Sequence, residues 1–225
     1  MTSIFDRIAA FGQARIVVFG DAMLDRSIYG EVRRISPEAA APVFSIESED
    51  LRLGGAANVA RNVASLGSRV HLVSAIGQDA DGDRLAALSR EDDLITASLV
   101  RDPGRPSTVK TRFIASGQQV LRADLENASP VRPEILARLL DELGAALATA
   151  DCLICSDYAK GVLTPDGLAQ AIAMARSRSI PVIVDPKARD MARYAGASVI
   201  TPNALEAAGA TGLDCDSDEG IGTAA

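Results

Sequence analysis

From Pro133 onward the chain alternates between amphipathic stretches of helical length and short apolar runs. The pattern predicts a helix over 134–149, a strand over 151–156 and a helix over 165–178, with Thr164 as N-cap and Pro165 at its first position. Strands follow over 181–184 and 198–201. Strands that alternate with helices imply a mostly parallel sheet with right-handed crossovers, since a parallel neighbour is reached only through a long connection. Three of these strands end in polar residues: Ser156-Asp157-Tyr158-Ala159-Lys160-Gly161, Asp185-Pro186-Lys187 and Thr201-Pro202-Asn203. Loops at one edge of a parallel sheet converge in space, so three such clusters after successive strands predict a ligand site.

The chain before Pro133 interrupts this rhythm. Residues 1–12 read as a short leading helix, and 15–20 as a continuous apolar strand, as expected when both faces of a sheet are covered. That strand runs into Gly20-Asp21-Ala22-Met23-Leu24-Asp25, which puts Asp21 and Asp25 at a strand's carboxyl end. No G-x-G-x-x-G follows, so a dinucleotide fingerprint is not supported. Residues 27–32 and 42–47 read as short paired strands around Ser36-Pro37, and 107–115 with 118–124 as a hairpin turning at Ser116-Gly117. Both look like parts of an inserted small sheet. In the second hairpin Val109, Thr111 and Phe113 share one face, which sets Lys110 and Arg112 together on the other, with Arg122 nearby. That pairing suits either a phosphate or a solvated strand face.

Between the hairpins lies Gly54-Gly55-Ala56-Ala57-Asn58. Adjacent glycines let backbone approach a ligand closely, and the run behind them, with Val59, Val63 and Leu66 as its apolar stripe, reads as a helix. Free N–H groups at a helix start favour electron-rich atoms. Asn58 offers a donor and an acceptor to a hydroxyl-bearing ligand, or simply caps the helix. A strand over 69–75 closed by Gly77, a helix over 79–90 and a strand over 94–100 follow.

A net charge of −7 over 225 residues argues against general binding to nucleic acid or anionic membrane, while leaving room for a small anion held by local Lys and Arg. No apolar run approaches the length of a membrane span, and the first 11 residues, with Asp6 and Arg7, do not read as a secretory leader. Cys152 and Cys155 stand three apart in a strand and so face opposite sides, which suits buried thiols and a reducing cytoplasm rather than a metal or redox pair. His71, alone in an apolar strand, reads as structural. Asp216-Ser217-Asp218-Glu219 looks like the acidic start of a helix with six residues left to run, so the natural protein is expected to continue.

These residues resemble the ribokinase-like, phosphofructokinase-B type sugar kinase family. Gly54-Gly55, Ala56, Asn58, Ala60, Gly67 and Gly77 match its first signature through their spacing. Gly20-Asp21-Ala22-Met23-Leu24-Asp25-Arg26, Arg34-Ile35-Ser36-Pro37-Glu38-Ala39, Ser156-Asp157-Tyr158-Ala159-Lys160-Gly161 and Asp185-Pro186-Lys187 are similar to its D-glycero-β-D-manno-heptose-7-phosphate kinase branch, often fused to an adenylyltransferase. The resemblance implies a three-layer α/β fold, with a mostly parallel central sheet, helices on both faces and a β-lid inserted from about 27–48 and 107–124. It implies ATP and Mg²⁺ as cofactors, phosphorylation of O1 of a sugar phosphate, a homodimer formed through the lid, and a cytoplasmic protein.

By position, the resemblance assigns Asp25, Gly54, Gly55 and Asn58 to sugar hydroxyls, and Lys110, Arg112 and Arg122 to the 7-phosphate. Asp157 and Lys160 fall at the substrate edge, and Lys187 near the nucleotide phosphates. Asn203-Ala204-Leu205-Glu206 matches the family's N-x-x-E, with Glu206 organising Mg²⁺ through water. Asp21 is expected to support the strand end and Tyr158 to pack. The family's G-A-G-D, which carries the general base and anion hole, is unmatched: Gly220-Ile221-Gly222-Thr223 has no Asp, and the base is expected beyond residue 225. The chain is thus expected to be one truncated kinase domain with little turnover of its own. Another sugar kinase of the family, or a non-catalytic sugar-phosphate-binding or dimerisation module, remain the competing readings.

Overall fold

The computed structural model describes residues 10–224. Within them the strands are β1 (Arg15–Gly20), β2 (Ala22–Ile35), β3 (Pro42–Gly55), β4 (Arg69–Gly77), β5 (Ile95–Asp102), β6 (Val109–Ala115), β7 (Gln118–Leu125), β8 (Cys152–Ser156), β9 (Val182–Asp185) and β10 (Val199–Ile200). The α-helices are α1 (Ala56–Ser65), α2 (Ala80–Leu88), α3 (Pro133–Ala146), α4 (Pro165–Ser177), α5 (Ala204–Thr211) and α6 (Asp218–Ala224). The leading helix expected over 1–12 lies mostly outside the described residues; a 3-10 turn, Ala10–Gln13, is seen at its end.

β1 lies inside a six-stranded sheet of order β10-β9-β8-β1-β4-β5, whose pairings are all parallel. Its alternating side chains feed two cores. Val17 and Phe19 join Leu139 and Leu143 of α3 and Leu168 and Ile172 of α4 on one face; Val18 joins Ala56, Ala60 and Ala64 of α1 on the other. Full burial of each such aliphatic or aromatic side chain contributes about 1.5–3 kcal/mol, which is why a strand apolar on both faces settles in the middle of the sheet. The helix–strand–helix layering agrees with the expected fold. β1 has β4 on one side and β8 on the other, so the strand order reverses at its carboxyl end, where open α/β sheets leave a crevice.

α1 corrects one detail. Its buried stripe is Ala56, Ala57, Ala60 and Ala64, while Val59 and Val63 are only partly buried and Leu66 is 61% exposed. The 3.6-residue period was legible, but the small residues face the sheet and the branched ones flank it, drawing the helix close.

The inserted sheet has order β3-β2-β6-β7. β2 pairs antiparallel with β3 and parallel with β6, and β6 pairs antiparallel with β7. The first two strands are far longer than the expected 27–32 and 42–47. Their bases, Ala22 to Leu24 and Leu53, are buried in the main core, and charges on both faces beyond that point hide the alternation. On the underside Arg26 bridges Glu49 of β3 at 2.7 Å and Asp81 of α2 at 2.5 Å. The Cys and His readings agree with the packing: Cys155 is buried and its thiol pushed up to about 12 by burial, Cys152 is half-buried, and His71 shares a hydrogen bond with Ser98 Oγ at 2.9 Å.

The second hairpin is anchored by a single acid. Asp79, the N-cap of α2, accepts from the Gly82 N–H at 2.7 Å, the Ser107 N–H at 2.8 Å and the Ser107 hydroxyl at 2.7 Å, and that hydroxyl accepts from the Gly77 N–H. Burial alone would push the Asp79 carboxyl up, but these donors and Arg101 outweigh it and hold it below the usual carboxylate range. A carboxyl depressed in the folded state stabilises above its unfolded pKa of about 3.9, and this stabilisation is lost as pH falls through the folded value. Asp79→Ala is therefore expected to cost about 2 kcal/mol at neutral pH, by loss of a cap and charge-assisted bonds. In urea denaturation series the gap to wild type should close progressively below about pH 4.

Candidate functional site

At the crevice a single residue, Asp21, separates β1 from β2. It is 1% exposed, and its carboxylate accepts from the backbone N–H groups of Tyr158 (2.9 Å), Lys160 (3.1 Å) and Val162 (3.0 Å) in the loop after β8. Its own carbonyl accepts from the Ala56 N–H at 3.0 Å, so the first donor of α1 is spent inside the protein. Burial pushes the Asp21 carboxyl up while the three N–H donors pull it down. From the other side Arg105 Nη2 donates to the carbonyls of Asn127, Ser129 and Lys160 at 3.0, 2.7 and 3.1 Å. The loop that carries Lys160 is thus held by its N–H groups and by a carbonyl at once. No spacing in the sequence singles out Arg105.

The glycine pair serves this junction. Gly55 has φ +55°, and a Cβ there would lie 2.3 Å from the Asp21 carbonyl oxygen. A Cβ on Gly54 would lie 2.7 Å from Asp25 Oδ2. The space left by the missing side chains is therefore filled by Asp21 and Asp25, the second of which is an expected sugar ligand. Asn58 is not the cap of α1; that position is Gly55, without a side-chain bond, and Asn58 Oδ1 accepts from Arg61 Nη2 at 2.9 Å.

Strand register brings the charged residues of the inserted sheet onto one face. Arg52, Asp25, Lys110 and Asp124 stand directly opposite one another across β3, β2, β6 and β7. The next row on that face is Asp50, Ser27, Arg112 and Arg122. Lys110, Arg112 and Arg122 do share a face, but each cation has a carboxylate. Arg112 Nη1 bonds Asp25 Oδ1 at 2.6 Å, Arg122 reaches Asp124 at 3.0 Å, Lys110 reaches Asp124 at 3.7 Å and Arg52 reaches Asp50 at 2.7 Å. Lys160 is likewise bridged to Glu126 at 2.8 Å. The face is a lattice of paired charges, and the sequence reading saw its cations without Asp50, Asp124 and Glu126.

A second cleft, of ≈ 310 Å³, lies along the carboxyl ends of β8, β9 and β10, lined by Asp157, Tyr158, Asp185, Pro186, Lys187, Thr201, Pro202, Asn203 and Glu206. The three predicted polar clusters do converge there. Asp157, expected at the substrate edge, is 3% exposed and turned inward: Oδ2 accepts from the Tyr194 hydroxyl at 2.7 Å and Oδ1 from the Ala159 N–H at 2.8 Å, with Arg193 at 3.7 Å. It holds the loop from within the cleft wall. Asn203 and Glu206 form a capping box at the start of α5, the Asn203 side chain accepting from Glu206 N–H and Glu206 Oε2 from Asn203 N–H. The other Glu206 oxygen meets Lys187 Nζ at 3.1 Å. Burial, then the Glu206 charge, pushes the Asp185 carboxyl up. Among the described residues no three His, Cys, Asp or Glu side chains gather as a metal-binding group.

Comparison with known proteins bears on this arrangement. The family model described as pfkB family carbohydrate kinase matches residues 13–225. The bifunctional protein HldE of Caulobacter vibrioides is 49% identical over 209 residues, 93% of this chain and 43% of its own length. That of Rhodospirillum rubrum is 43% identical over 217 residues, 96% of this chain and 44% of its own. The chain thus spans less than half the length of these relatives. Among solved structures, Arabidopsis thaliana ribokinase complexed with ribose and ATP superposes with a TM-score of 0.62 at 18% identity, covering 94% of this chain and 67% of that one. At that identity the likeness is one of fold.

Tyr194 is the residue on which the second cleft rests, and nothing in its sequence surroundings marks it. Its hydroxyl donates to Asp157 and accepts from the N–H groups of Lys187 (3.1 Å) and Ala188 (3.0 Å), while burial pushes the phenol up to about 12. Tyr194→Phe strips a buried carboxylate and two N–H groups of one partner each. We expect a loss of about 3 kcal/mol in urea denaturation.

Proposed function

This chain belongs to the pfkB family of carbohydrate kinases, and from that premise we propose that it is the acceptor-binding part of a kinase. The enzyme would transfer phosphate from ATP to O1 of D-glycero-β-D-manno-heptose 7-phosphate, giving the 1,7-bisphosphate used in ADP-heptose and lipopolysaccharide core synthesis. The observation that carries this reading is the charged face of the inserted sheet. It sets Arg112 and Lys110 beside Asp25, so that cations for a phosphate and a carboxylate for hydroxyls occupy adjoining positions. The identity to the HldE proteins supports the choice of sugar.

In this reading Asp25, Gly54, Gly55 and Asn58 surround the sugar hydroxyls, Lys110, Arg112 and Arg122 take the 7-phosphate, and Lys160 closes the edge. The cleft lined by Lys187, Asn203 and Glu206 would hold ATP, which would supply the phosphoryl group. Asp185 and Glu206 suit a hydrated Mg²⁺ held through water, since the Glu206 oxygens already have protein partners. No acceptor base is assigned among the described residues, so in this reading they bind the sugar phosphate with little turnover. No helix among the described residues is long and apolar enough to cross a membrane, and the reading is of a cytoplasmic enzyme.

The same reading makes the inserted sheet a dimer contact. Beyond the Arg26–Glu49 pair, its underside carries Phe44 packed edge-on to Phe113 at 5.4 Å, with Val32 (41%), Ile46 (64%) and Leu121 (57%) exposed beside them. A second copy would bury this side. Leu121→Asp should shift the chain to monomer in sedimentation-velocity runs, while an unchanged profile removes the lid from the contact.

Isothermal titration with heptose 7-phosphate, beside a coupled ADP-release assay, tests the kinase reading. We expect binding without appreciable turnover, and the double charge reversal Lys110→Glu/Arg112→Glu should weaken binding at least about tenfold. Unchanged affinity in that variant would remove the heptose-phosphate assignment. Measurable turnover would place the base within the chain.

A further inference from the structure

We propose that Arg112 and Asp25 act together as a selector for phosphorylated sugars, in which a phosphate draws Arg112 away and so releases the Asp25 carboxylate to the sugar hydroxyls. The inference rests on reading this face as a sugar-phosphate site, and adds to it the basis on which the unphosphorylated sugar is refused.

Three features of the register carry it. Asp25 directly faces Arg52 on one side and Lys110 on the other, yet its 2.6 Å bond goes diagonally to Arg112. Arg112 directly faces Ser27 and Arg122, a neutral residue and a like charge. The remaining carboxylates of the face are taken, Asp50 by Arg52 and Asp124 by Arg122 and Lys110. Asp25 is thus the sole ion-pair partner of Arg112 among the described residues, and the two side chains are each about a third exposed, 32% and 30%. A solvent-reached pair of this kind can exchange partners.

The geometry around Asp25 makes that exchange consequential. Its Oδ2 would lie 2.7 Å from a Cβ on Gly54, so the carboxylate sits close over the glycine. Its Oδ1 is occupied by the guanidinium. With Oδ1 held by the guanidinium, only one carboxylate oxygen is left to accept from sugar hydroxyls. A phosphate offers a guanidinium two parallel charge-assisted bonds and more charge than one carboxylate. It can displace Asp25 from Arg112, whereas a neutral sugar has nothing with which to do so. The cost of opening the pair therefore falls on the unphosphorylated ligand, and one arginine both attracts the right sugar and blocks the wrong one.

The test compares wild type, Arg112→Ala and Arg122→Ala by titration with heptose 7-phosphate and with the same heptose lacking phosphate, using ligand-detected NMR for the weaker complexes. Arg112→Ala should weaken the phosphate ester about tenfold or more and tighten the unphosphorylated heptose about tenfold, because Asp25 is free in it. Arg122→Ala should weaken the ester alone. Arg112→Gln is read in the same way if the alanine variant does not fold. Binding of the ester by wild type, with no gain for unphosphorylated heptose on loss of Arg112, overturns the selector alone. Failure of wild type to bind the ester overturns the sugar-phosphate reading and the selector with it.

Discussion

Asp21 carries one charge into a position that is 1% exposed, and the surrounding chain is arranged to receive it. An unpaired buried carboxylate is costly, but three backbone N–H groups from one loop offset much of that cost. Each bond also orders something: the loop after β8, the departure of β2 into the inserted sheet and, through the Asp21 carbonyl, the start of α1. Arg105 completes the restraint by collecting carbonyls where Asp21 collects N–H groups. The loops around the strand-order reversal are therefore fixed by backbone hydrogen bonds to two oppositely charged side chains.

A different electrostatic logic governs the inserted sheet. Its face holds Arg52, Lys110, Arg112 and Arg122 against Asp25, Asp50 and Asp124, an excess of one cation. Arg112 and Arg122 stand directly opposite, an unfavourable placement that the neighbouring carboxylates relieve. Exposed pairs of this sort add little to stability, so their presence is better understood through what they exchange with. A face of free cations would hold any anion. A face of pairs admits an anion only by rearrangement, and this is where discrimination arises.

The two clefts differ in how far their residues are committed. In the second, Asp157, Asn203 and Glu206 are engaged in holding the loops, by Tyr194 and by the capping box of α5. Their match to a functional pattern and their structural employment are compatible: a side chain that shapes a loop determines where backbone and neighbours such as Lys187 and Asp185 present themselves.

The parallel sheet was legible from residue order, because period-2 and period-3.6 apolar patterns are imposed by burial on each element separately. The convergence of the polar clusters after β8, β9 and β10 followed from the same rule, and so did the shared face of Lys110 and Arg112. The stripe of α1 was read one step round the helix, since alanines count little in an apolar pattern yet pack closest. The long β2 and β3 were half-seen, because charges on both faces beyond their buried bases erase alternation. Local pattern thus determined the layers, the edge that carries the crevice and the cations of the inserted sheet. The partners of those cations, the inward turn of Asp157 and the roles of Arg105 and Tyr194 were decided by tertiary structure alone. Each is a contact between segments distant in sequence, and an ion pair or a buried hydrogen bond leaves no periodic trace in the chain.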